Sequence, residues 1–432
     1  MAMNYFDYIL AAQKLGEARG IVSICSAHPL VLEAALRHGL ERHAPVLVEA
    51  TCNQVNQFGG YTGLTPNDFV HFVGQIADQV GFPRQGLLLG GDHLGPLVWA
   101  NEPAALAMDK AKALVRDYVQ AGFTKIHLDC SMPCADDTAL SPEIISQRAA
   151  QLAQVAEQTL AHLQTTNLQP SSRYNQLRYV IGTEVPPAGG AKAGENHLTV
   201  TDSADAAKTI DLTRQALASL GLESAWERVI ALVVQPGVEF GDETVHEYDR
   251  SAAVGLARLI ETIPGLVYEA HSTDYQTRAA LRALVEDHFA ILKVGPWLTF
   301  AFREAVFALA EMEQVLMPLE SSQIRETIEA DMLQNPMAWQ KHYSGSPQQQ
   351  KFARAYSFSD RIRYYWNSPT IHNAFLHLLR NLGDRPLPLS LVSQYLPDQY
   401  EKIRAGEIKN HPRSLLLARV MDVLRNYAFA CR

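Results

Sequence analysis

Short apolar runs rich in β-branched residues alternate with longer stretches of helical periodicity over roughly the first 300 residues of the chain. Strict alternation, with connections long enough for parallel pairing, is typical of a (β/α)8 TIM barrel, and about 250 residues is an ordinary size for that α/β fold. The sequence therefore predicts a (β/α)8 barrel over residues 1–300. The predicted strands are Gly20–Ser26, Pro45–Thr51, Gly86–Gly91, Lys125–Ser131, Tyr179–Glu184, Val229–Gln235, Leu266–His271 and Phe289–Gly295. The predicted helices between them are Pro29–Glu41, Pro66–Val80, Ala104–Ala121, Pro142–Leu163, Ala204–Leu220, Ser251–Thr262 and Gln276–Glu286.

The pattern changes beyond residue 300, where helical periodicity continues without regular strand patterns. We predict a helical C-terminal region over residues 301–432. Tyr343–Lys351, which contains Gly345, Pro347 and three glutamines, is predicted to be a loop. The predicted helices of this region are Phe302–Glu313, Ser322–Leu333, Ser390–Gln394 and Leu415–Tyr427.

Within this region, Tyr356–Trp366 is unusually dense in arginine and aromatic residues. Its guanidinium groups are suited to gripping a phosphate, and its tyrosines and tryptophan to stacking on a sugar. An amphipathic helix that packs its aromatic side chains on the barrel or on a partner subunit explains the same composition. Both interpretations stay open at the level of sequence.

Composition limits the class of protein. The 432 residues are 47% hydrophobic and carry a formal charge of -9, which argues against a nucleic-acid or anionic-membrane partner. Residues 1–20 lack a signal-peptide core, and no stretch reaches membrane-spanning length, so we expect a cytoplasmic protein. Cys25, Cys52, Cys130 and Cys134 lie near predicted strand ends. They are either a zinc site or, more commonly, small buried thiols in a reducing compartment.

Polar residues cluster where the predicted strands end. Asp92 and His93 follow an apolar strand inside a glycine-rich turn. An isolated pair of this kind would more often be a turn cap beside a hydrogen-bonded histidine, but here the pattern recurs on nearly every strand. Functional groups of barrel enzymes lie at these C-terminal ends. The residues concerned are His28, Glu49, Thr51, Asn53, Asp92, His93, His127, Asp129, Cys130, Glu184, Gln235, Glu269, His271, Asp274 and Lys293.

Three long connections stand out, of which those after the second and fifth strands fall on the predicted barrel mouth and the one before the fifth strand does not. Asn53–Gly63, after the second strand, contains amides and glycines that suit sugar hydroxyls, and Asn53, Gln54 and Gln57 are its candidate binding residues. Thr165–Gln176 is polar and expected to be exposed. Pro186–Ser203, rich in glycine and alanine, either folds over a substrate or is variable surface.

Long motifs spread over almost the whole chain carry a family resemblance. The chain resembles the large non-catalytic subunit family of bacterial D-tagatose-1,6-bisphosphate aldolase, whose members were formerly labelled tagatose-6-phosphate kinases and include C4-epimerase relatives. The motifs are Cys25–Pro29, Glu49–Gly63, Gly90–Pro96, Lys125–Asp129, Ile181–Pro186, Glu269–Thr277 and Ser359–Trp366.

The resemblance implies a divalent metal, with zinc preferred over manganese, nickel or magnesium. Asp92 resembles the catalytic carboxylate of class II aldolases, and His93 and His271 resemble metal ligands. The third histidine expected after strand six is missing, because that strand ends at Gln235, a poorer zinc ligand. This departure favours a lost or altered activity, although we expect Glu184 to substitute as an oxygen ligand. The catalytic residues predicted are Asp92, Glu184 and Asp129.

Phosphate is expected near Ser272, Thr273 and the Gly295 backbone, because barrels often bind phosphate after strands seven and eight. Lys293 or Arg361 would add positive charge, whereas the alternative for Lys293 is an ion pair with Glu269 inside the barrel. The substrate-binding residues predicted in all are His28, Glu49, Asn53, Gln54, Gln57, Gln235, Ser272, Thr273, Asp274, Lys293 and Arg361.

The function that the resemblance favours is a supporting subunit, required for activity and stability of a class II aldolase chain in the galactitol and N-acetylgalactosamine (tagatose 6-phosphate) pathways. The alternative is a free-standing, metal-dependent C4 epimerase of tagatose and fructose or their 6-phosphates, acting by retro-aldol and aldol steps. A kinase is not supported, since no G-x-x-x-x-G-K-[ST] loop is present. The expected partners are a ketohexose or its phosphate and the aldolase chain, in an oligomer.

Overall fold

The computed structural model of the chain describes residues 4–166, 177–186, 198–383 and 385–432. Within these ranges eight parallel strands close into a barrel, and a two-stranded antiparallel hairpin lies outside it. The barrel strands are β1 (Ile21–Ile24), β2 (Val46–Thr51), β3 (Leu87–Leu94), β4 (Lys125–Leu128), β5 (Arg178–Ile181), β6 (Val229–Val233), β9 (Val267–Ala270) and β10 (Phe289–Val294). The hairpin strands are β7 (Glu239–Phe240) and β8 (Val245–His246).

The barrel strands pair in chain order, and β10 closes the ring on β1. Every predicted strand is present within a few residues of its expected bounds, so the predicted (β/α)8 TIM barrel is confirmed. Register then aligns the strand ends: Thr51 of β2 pairs with Asp92 of β3 at the C-terminal rim. Because all eight strands are parallel, their polar C-terminal residues meet at one mouth.

Helices surround the barrel and form the region after it. α3, for example, begins at a capping box in which Thr65 and Asp68 bind each other's backbone, and it ends at Gly81 in the left-handed conformation. The helices of the first 300 residues are α1 (Tyr5–Lys14), α2 (Pro29–Arg42), α3 (Pro66–Val80), α4 (Ala104–Ala121), α5 (Pro142–Thr166), α6 (Ser203–Ser219), α7 (Glu223–Trp226), α8 (Arg250–Glu261) and α9 (Arg278–Glu286). Those that follow are α10 (Pro296–Leu316), α11 (Ile324–Gln334), α12 (Pro347–Tyr356), α13 (Pro369–Leu382), α14 (Leu389–Tyr395), α15 (Pro397–Arg404) and α16 (Pro412–Ala430).

The last helix returns to the barrel. α16 contacts α2, α9 and β1 on the barrel side and α10 on the other. The backbone N–H of Gly20, just before β1, donates to the carbonyl of Cys431 at 3.3 Å. The helical C-terminal region is therefore joined to the barrel through its own C-terminal end, and the division at residue 300 stays a prediction.

Several local expectations differ from the structure. The predicted loop Tyr343–Lys351 is wrong in its second half, because α12 begins at Pro347 with a capping box between Ser346 and Gln349. The helices α1, α13 and α15 were not predicted. The arginine-rich segment is no amphipathic helix: Arg361–Tyr364 forms a single 3-10 turn. Most of the two predicted loops Thr165–Gln176 and Pro186–Ser203 lies outside the described residues.

In the part of the chain that the structure describes, no helix combines the length and the apolar character needed to cross a membrane.

Candidate active site

A cavity of about 660 Å³, including its mouth open to solvent, lies at the C-terminal ends of the barrel strands. Its wall combines strand-end residues, the loop after β2 and the turn Arg361–Tyr364 of the C-terminal region. The lining residues are Cys25, Thr51, Asn53, Gln54, Tyr61, Asp92, His93, Phe240, His271, Ser272, Asp274, Lys293, Val294, Gly295, Pro296, Arg363 and Tyr364.

Three histidines meet at the floor of this cavity. The ring centroids of His93, His127 and His271 are 4.9 to 5.2 Å apart in every pair. All three side chains are almost fully buried. They come from β3, β4 and the end of β9, so the closure of the barrel is what brings them together.

Each histidine is tied to a carboxylate through one ring nitrogen. His93 Nδ1 lies 2.7 Å from Asp129 Oδ2, and His127 Nδ1 lies 2.8 Å from Asp92 Oδ1. His271 Nε2 lies 3.0 Å from Glu269 Oε1. Metal-binding histidines commonly have this arrangement, because the carboxylate sets the tautomer and orients the other nitrogen toward the metal.

The remaining ring nitrogens of His127 and His271 fit a metal, whereas His93, a predicted ligand, lies outside the group of atoms that could share one ion, and its Nε2 lies 3.6 Å from Asp92 Oδ2. His127 Nε2 is buried and has no hydrogen-bond partner among the described residues. Potential ligand atoms of Asp92, His127, Glu269 and His271 all lie within 4.8 Å of one another. Glu269 already binds Lys125 and His271, so histidine nitrogens are the better ligands. A buried Asp/His/Glu cluster able to hold a metal is thus present, and imidazole suits zinc among other transition metals.

Burial and neighbouring charges set the protonation states of Asp92 and His271. Burial by itself would raise the pKa of the Asp92 carboxyl, but the nearby charges of His93 and Lys293 outweigh burial and hold this pKa well below its usual range. Burial, with the charge of Lys293, lowers the pKa of His271 to about 3. At neutral pH Asp92 is therefore ionised and the His271 imidazole is neutral, which are the forms that a base and a metal ligand need.

Beneath the histidines, five charged side chains are paired inside the barrel. Lys125 Nζ lies 2.7 Å from Glu49 Oε1 and 2.6 Å from Glu269 Oε2. Lys293 Nζ lies 2.7 Å from Glu49 Oε2 and 2.5 Å from Asp92 Oδ1. Buried charges persist only when they are paired. This network thus holds Asp92 and, through Glu269, His271 in place.

The backbone turns sharply where the ligand-bearing strands end. His93 has φ 49° and Ser272, just after His271, has φ 52°, so both are non-glycine residues in the left-handed region. Such conformations cost about 1–3 kcal/mol and cluster at functional sites. The turn at His93 lets Asp92 and His93 contribute to the same site although they are neighbours on a strand.

Some predicted site residues come together in the structure, and others do not. Asp129 lies behind His93 rather than in the cavity wall. Glu184 is exposed, and neither the cavity wall nor the metal-ligand group contains it. The predicted residues that line the cavity are Asn53, Gln54, Asp92, His93, His271, Ser272, Asp274 and Lys293.

Other predicted substrate-binding residues have partners elsewhere. Gln57 Nε2 donates to the carbonyl of Lys110, and Gln235 Oε1 accepts from the backbone of Gly237 and Val238. Arg361 Nη1 donates to the carbonyl of Ala338 at 2.7 Å. These side chains stabilise loops.

His28 and Glu49 also lie outside the main cavity. The His28 ring packs on Phe302, with ring centroids 4.2 Å apart, and borders a smaller adjoining recess. Glu49 is fully buried in the ion network inside the barrel.

The groups expected to bind phosphate also make hydrogen bonds or ion pairs within the protein. Asp274 Oδ1 accepts from the N–H groups of Gly295 and Trp297 at 3.0 and 2.8 Å. Thr273 Oγ1 donates to the carbonyl of Lys293 at 2.6 Å. Lys293 itself pairs mainly with Glu49 and Asp92, in the manner of the interior ion pair that was its alternative. Of the predicted anchors, Ser272, Lys293 and Gly295 line the cavity, and the N–H of Gly295 is already used by Asp274.

Reasoning from sequence overlooked His127 as a ligand and Arg363, Tyr61 and Tyr364 as cavity residues. His127 was visible as a polar residue on the fourth strand, but one sequence does not tell which face of a strand is inward. Arg363 stands two residues from Arg361 in the same motif, and only the 3-10 turn decides which guanidinium reaches the cavity.

The thiols do not assemble a zinc site in the described residues. Cys52, Cys130 and Cys134 are buried and free, and burial raises the pKa of each thiol. Cys25 is the thiol whose sulfur lies within metal-ligand reach of two carboxylates, Glu49 and Asp92. Small buried thiols therefore explain these cysteines.

Fold and site together define a (β/α)8-barrel protein with a histidine and carboxylate cluster suited to a metal at its catalytic face. More particularly, the chain belongs to the D-tagatose-1,6-bisphosphate aldolase subunit GatZ/KbaZ-like family, whose model matches residues 6–432. This membership confirms the family indicated by the sequence motifs.

One solved structure supports the fold, and two more distant ones are also similar. A probable tagatose 6 phosphate kinase from Sinorhizobium meliloti 1021 is 47% identical, with a TM-score of 0.87 over 96% of this chain and 100% of that chain. The YdjI aldolase from Escherichia coli K12 is 10% identical, with a TM-score of 0.41 over 86% and 95%. The fructuronate-tagaturonate epimerase UxaE from Cohnella laeviribosi is 12% identical, with a TM-score of 0.46 over 95% and 81%. Neither of these last two likenesses bears on the chemistry of this chain.

Proposed function

We propose that this chain is itself catalytic and interconverts a ketohexose or its 6-phosphate with the C4 epimer in a metal-dependent reaction, tagatose and fructose being the pair in question. One observation carries the proposal: three buried histidines, each oriented by a carboxylate, are packed together at the barrel mouth, and two of them, His93 and His271, line the cavity. The missing histidine after β6 had favoured a non-catalytic chain. His127 from β4 supplies a third imidazole.

The chemistry follows from the position of the carbonyl. The C4 hydrogen of a 2-ketose is not adjacent to C2, so enolisation cannot remove it, whereas breaking the C3–C4 bond can invert C4. Asp92, ionised and 2.5 Å from Lys293 Nζ, would take the proton of the C4 hydroxyl. The C3–C4 bond then breaks, its electron pair moves into an enediolate at C2 and C3, and C4 becomes an aldehyde.

Inversion requires that the aldehyde rotate before the bond re-forms. The enediolate then attacks its other face, and Asp92 returns the proton to the new C4 hydroxyl. A divalent cation held by His127 and His271, within the group of ligand atoms that also includes Asp92 and Glu269, would supply Lewis-acid stabilisation of the negative charge. Release of the aldehyde instead of its rotation would give aldol cleavage, so epimerase and aldolase chemistry share these residues.

A second candidate function is the supporting subunit. The family description names an aldolase subunit, which favours assembly with a separate class II aldolase chain in tagatose 6-phosphate catabolism. Both roles are compatible with one chain, since partner binding would stabilise it by mass action without involving the cavity.

The deciding experiment uses the purified chain alone, stripped of metal with a chelator and reloaded with zinc, manganese, nickel or magnesium. We expect conversion of fructose 6-phosphate or fructose to the tagatose epimer only after reloading. His127→Gln should lower both bound metal and turnover by at least about 10-fold, since the loss of a ligand or its orienting partner costs 10- to 100-fold. His246→Gln, at an exposed histidine, is the matched control and should change neither.

Full metal occupancy in the His127→Gln variant would contradict the proposed metal site. No turnover with any metal, together with co-purification and heat protection of a co-expressed class II aldolase chain, would make the supporting subunit the correct function.

A further inference from the structure

Two cationic side chains, Lys293 and Arg363, line the cavity, and they differ in whether carboxylates pair with them. Lys293 is surrounded by carboxylates, with Asp92 and Glu49 at 2.5 and 2.7 Å. Arg363 also lines the cavity. In the part of the chain that the structure describes, no carboxylate oxygen lies within 4.0 Å of its guanidinium. Lys293 is thus neutralised by direct ion pairs, whereas the Asp360 and Asp274 carboxylates act on Arg363 only from a longer distance, which leaves its guanidinium able to pair directly with a ligand.

The Arg363 side chain is held without a direct ion pair. Its Nη1 donates to the carbonyls of Ser359 and Asp360, and its Nη2 donates to the Tyr364 hydroxyl at 2.8 Å. These acceptors are neutral groups. They use only part of the five N–H donors of a guanidinium, so Nε and a second Nη2 hydrogen have no acceptor among the described residues.

The turn that carries Arg363 is rigid because it is anchored to α10. The Asp360 carboxylate accepts from Thr299 Oγ1 at 2.6 Å and from Arg303 Nε at 3.0 Å. Asp360 and Arg303 are both almost fully buried. A binding group fixed in this way loses little conformational entropy when a ligand arrives.

Aromatic side chains flank the guanidinium on the cavity side. Tyr61, from the loop after β2, packs edge to face on Tyr364, with ring centroids 4.8 Å apart. Both rings line the cavity. An anion bound to Arg363 would therefore meet two phenol groups, while the rest of a sugar chain extends toward Asp92 and the histidines.

We propose that Arg363 binds the phosphate of a phosphorylated ketose and thereby makes the site prefer the sugar phosphate to the free sugar. The inference rests on the proposed function in that it assigns the substrate class of the same cavity. It differs from the expectation based on sequence, which placed the anchor at Lys293 or Arg361.

Binding tests the proposal independently of turnover. Calorimetric titration of the metal-loaded protein with tagatose 6-phosphate, free tagatose and inorganic phosphate measures three dissociation constants. In Arg363→Met we expect about a 100-fold weaker affinity for tagatose 6-phosphate, as for two charge-assisted hydrogen bonds of about 1.5 kcal/mol each. Affinity for free tagatose should change less than about twofold. The affinity of Arg363→Lys for tagatose 6-phosphate should lie between those of the wild type and Arg363→Met, because lysine keeps the charge but lacks the two parallel N–H groups of the guanidinium.

Arg361→Met is the matched control, since Arg361 belongs to the same turn but donates to Ala338 outside the cavity. It should leave the ratio of the two affinities unchanged. Circular dichroism of each variant verifies the fold.

Two results would overturn the inference: an unchanged ratio of the two affinities in Arg363→Met, or the same selective loss in Arg361→Met. If inorganic phosphate binds tightly to the wild type and not to Arg363→Met, the inference is supported by the anion without the sugar. If the wild type binds tagatose 6-phosphate through Arg363 without epimerising it, the proposed function fails and the anion site stands.

Discussion

Single residues in this protein depend on partners that come from distant parts of the chain. Lys125, with no exposed surface, is balanced by Glu49 and Glu269 from two other strands. His28 was predicted to bind substrate, yet its ring lies between Phe302 and the edge of Trp366. Its Nδ1 is buried without a hydrogen-bond partner among the described residues. At this scale a residue's role follows from its neighbours in space.

His28 should make stability depend on pH. Burial lowers its pKa from 6.5 to about 3, so between these values the unfolded chain binds a proton and the folded chain does not. The free energy of unfolding therefore falls as pH falls through this window, by at most about 1.4 kcal/mol per pH unit from this group. His28→Gln should remove that part of the slope in urea denaturation between about pH 7 and about pH 4. An unchanged slope would show that His28 is protonated in the folded protein.

At the scale of elements, the segment Ser357–Trp366 links the barrel to the C-terminal region. The Phe358 N–H donates to the carbonyl of Asp242, which lies between β7 and β8. The Phe358 carbonyl accepts from the Tyr275 hydroxyl at 2.5 Å. Asp360, at φ 43°, begins the 3-10 turn. The hairpin, the loop after β9 and α10 thus all position this short turn, which has little regular structure of its own.

Replacement of Asp360 by asparagine should destabilise the protein strongly. Asparagine tolerates the left-handed backbone, so the change mainly leaves the buried Arg303 without its counter-ion. Loss of one partner of a buried pair costs about 3–5 kcal/mol. Asp78→Asn, which breaks the exposed pair with Arg84, is the control and should cost about 0–1 kcal/mol. Equal midpoints for the two variants in urea denaturation would contradict the anchoring role of Asp360.

For the molecule as a whole, α16 is the helix that joins the C-terminal region to the barrel. Its apolar face is fully buried between α2, α9 and α10. The Tyr427 hydroxyl donates to the Thr273 carbonyl at 2.9 Å, at the end of β9. The Arg282 side chain of α9 donates to the carbonyls of Ala430 and Arg432. The C-terminal helix therefore contacts both the first and the penultimate barrel units.

Deletion of residues 412–432 should abolish cooperative unfolding. α16 buries five leucine and valine residues almost completely, namely Leu415, Leu416, Val420, Val423 and Leu424. Each contributes about 1.5–3 kcal/mol, and their total is comparable with a typical stability of about 5–15 kcal/mol. Thermal melting followed by circular dichroism measures the effect, and deletion of exposed Arg432 alone is the control. A truncated chain that melts cooperatively would instead support an independent barrel over residues 1–300.

The amino-acid sequence by itself determined the barrel, because the alternation of strand and helix patterns is local and repeats eight times. It also determined that Asp92, His93 and His271 stand at strand ends on one mouth. Only the tertiary structure decided which of these polar side chains meet. Closure of the barrel brings His127 next to the other histidines. The buried lysines form ion pairs with Glu49 and Asp92. The 3-10 turn places Arg363, and not Arg361, in the cavity wall. The physical reason is that partners in a closed barrel are set by contacts between residues far apart in sequence, which periodicity along the chain does not encode.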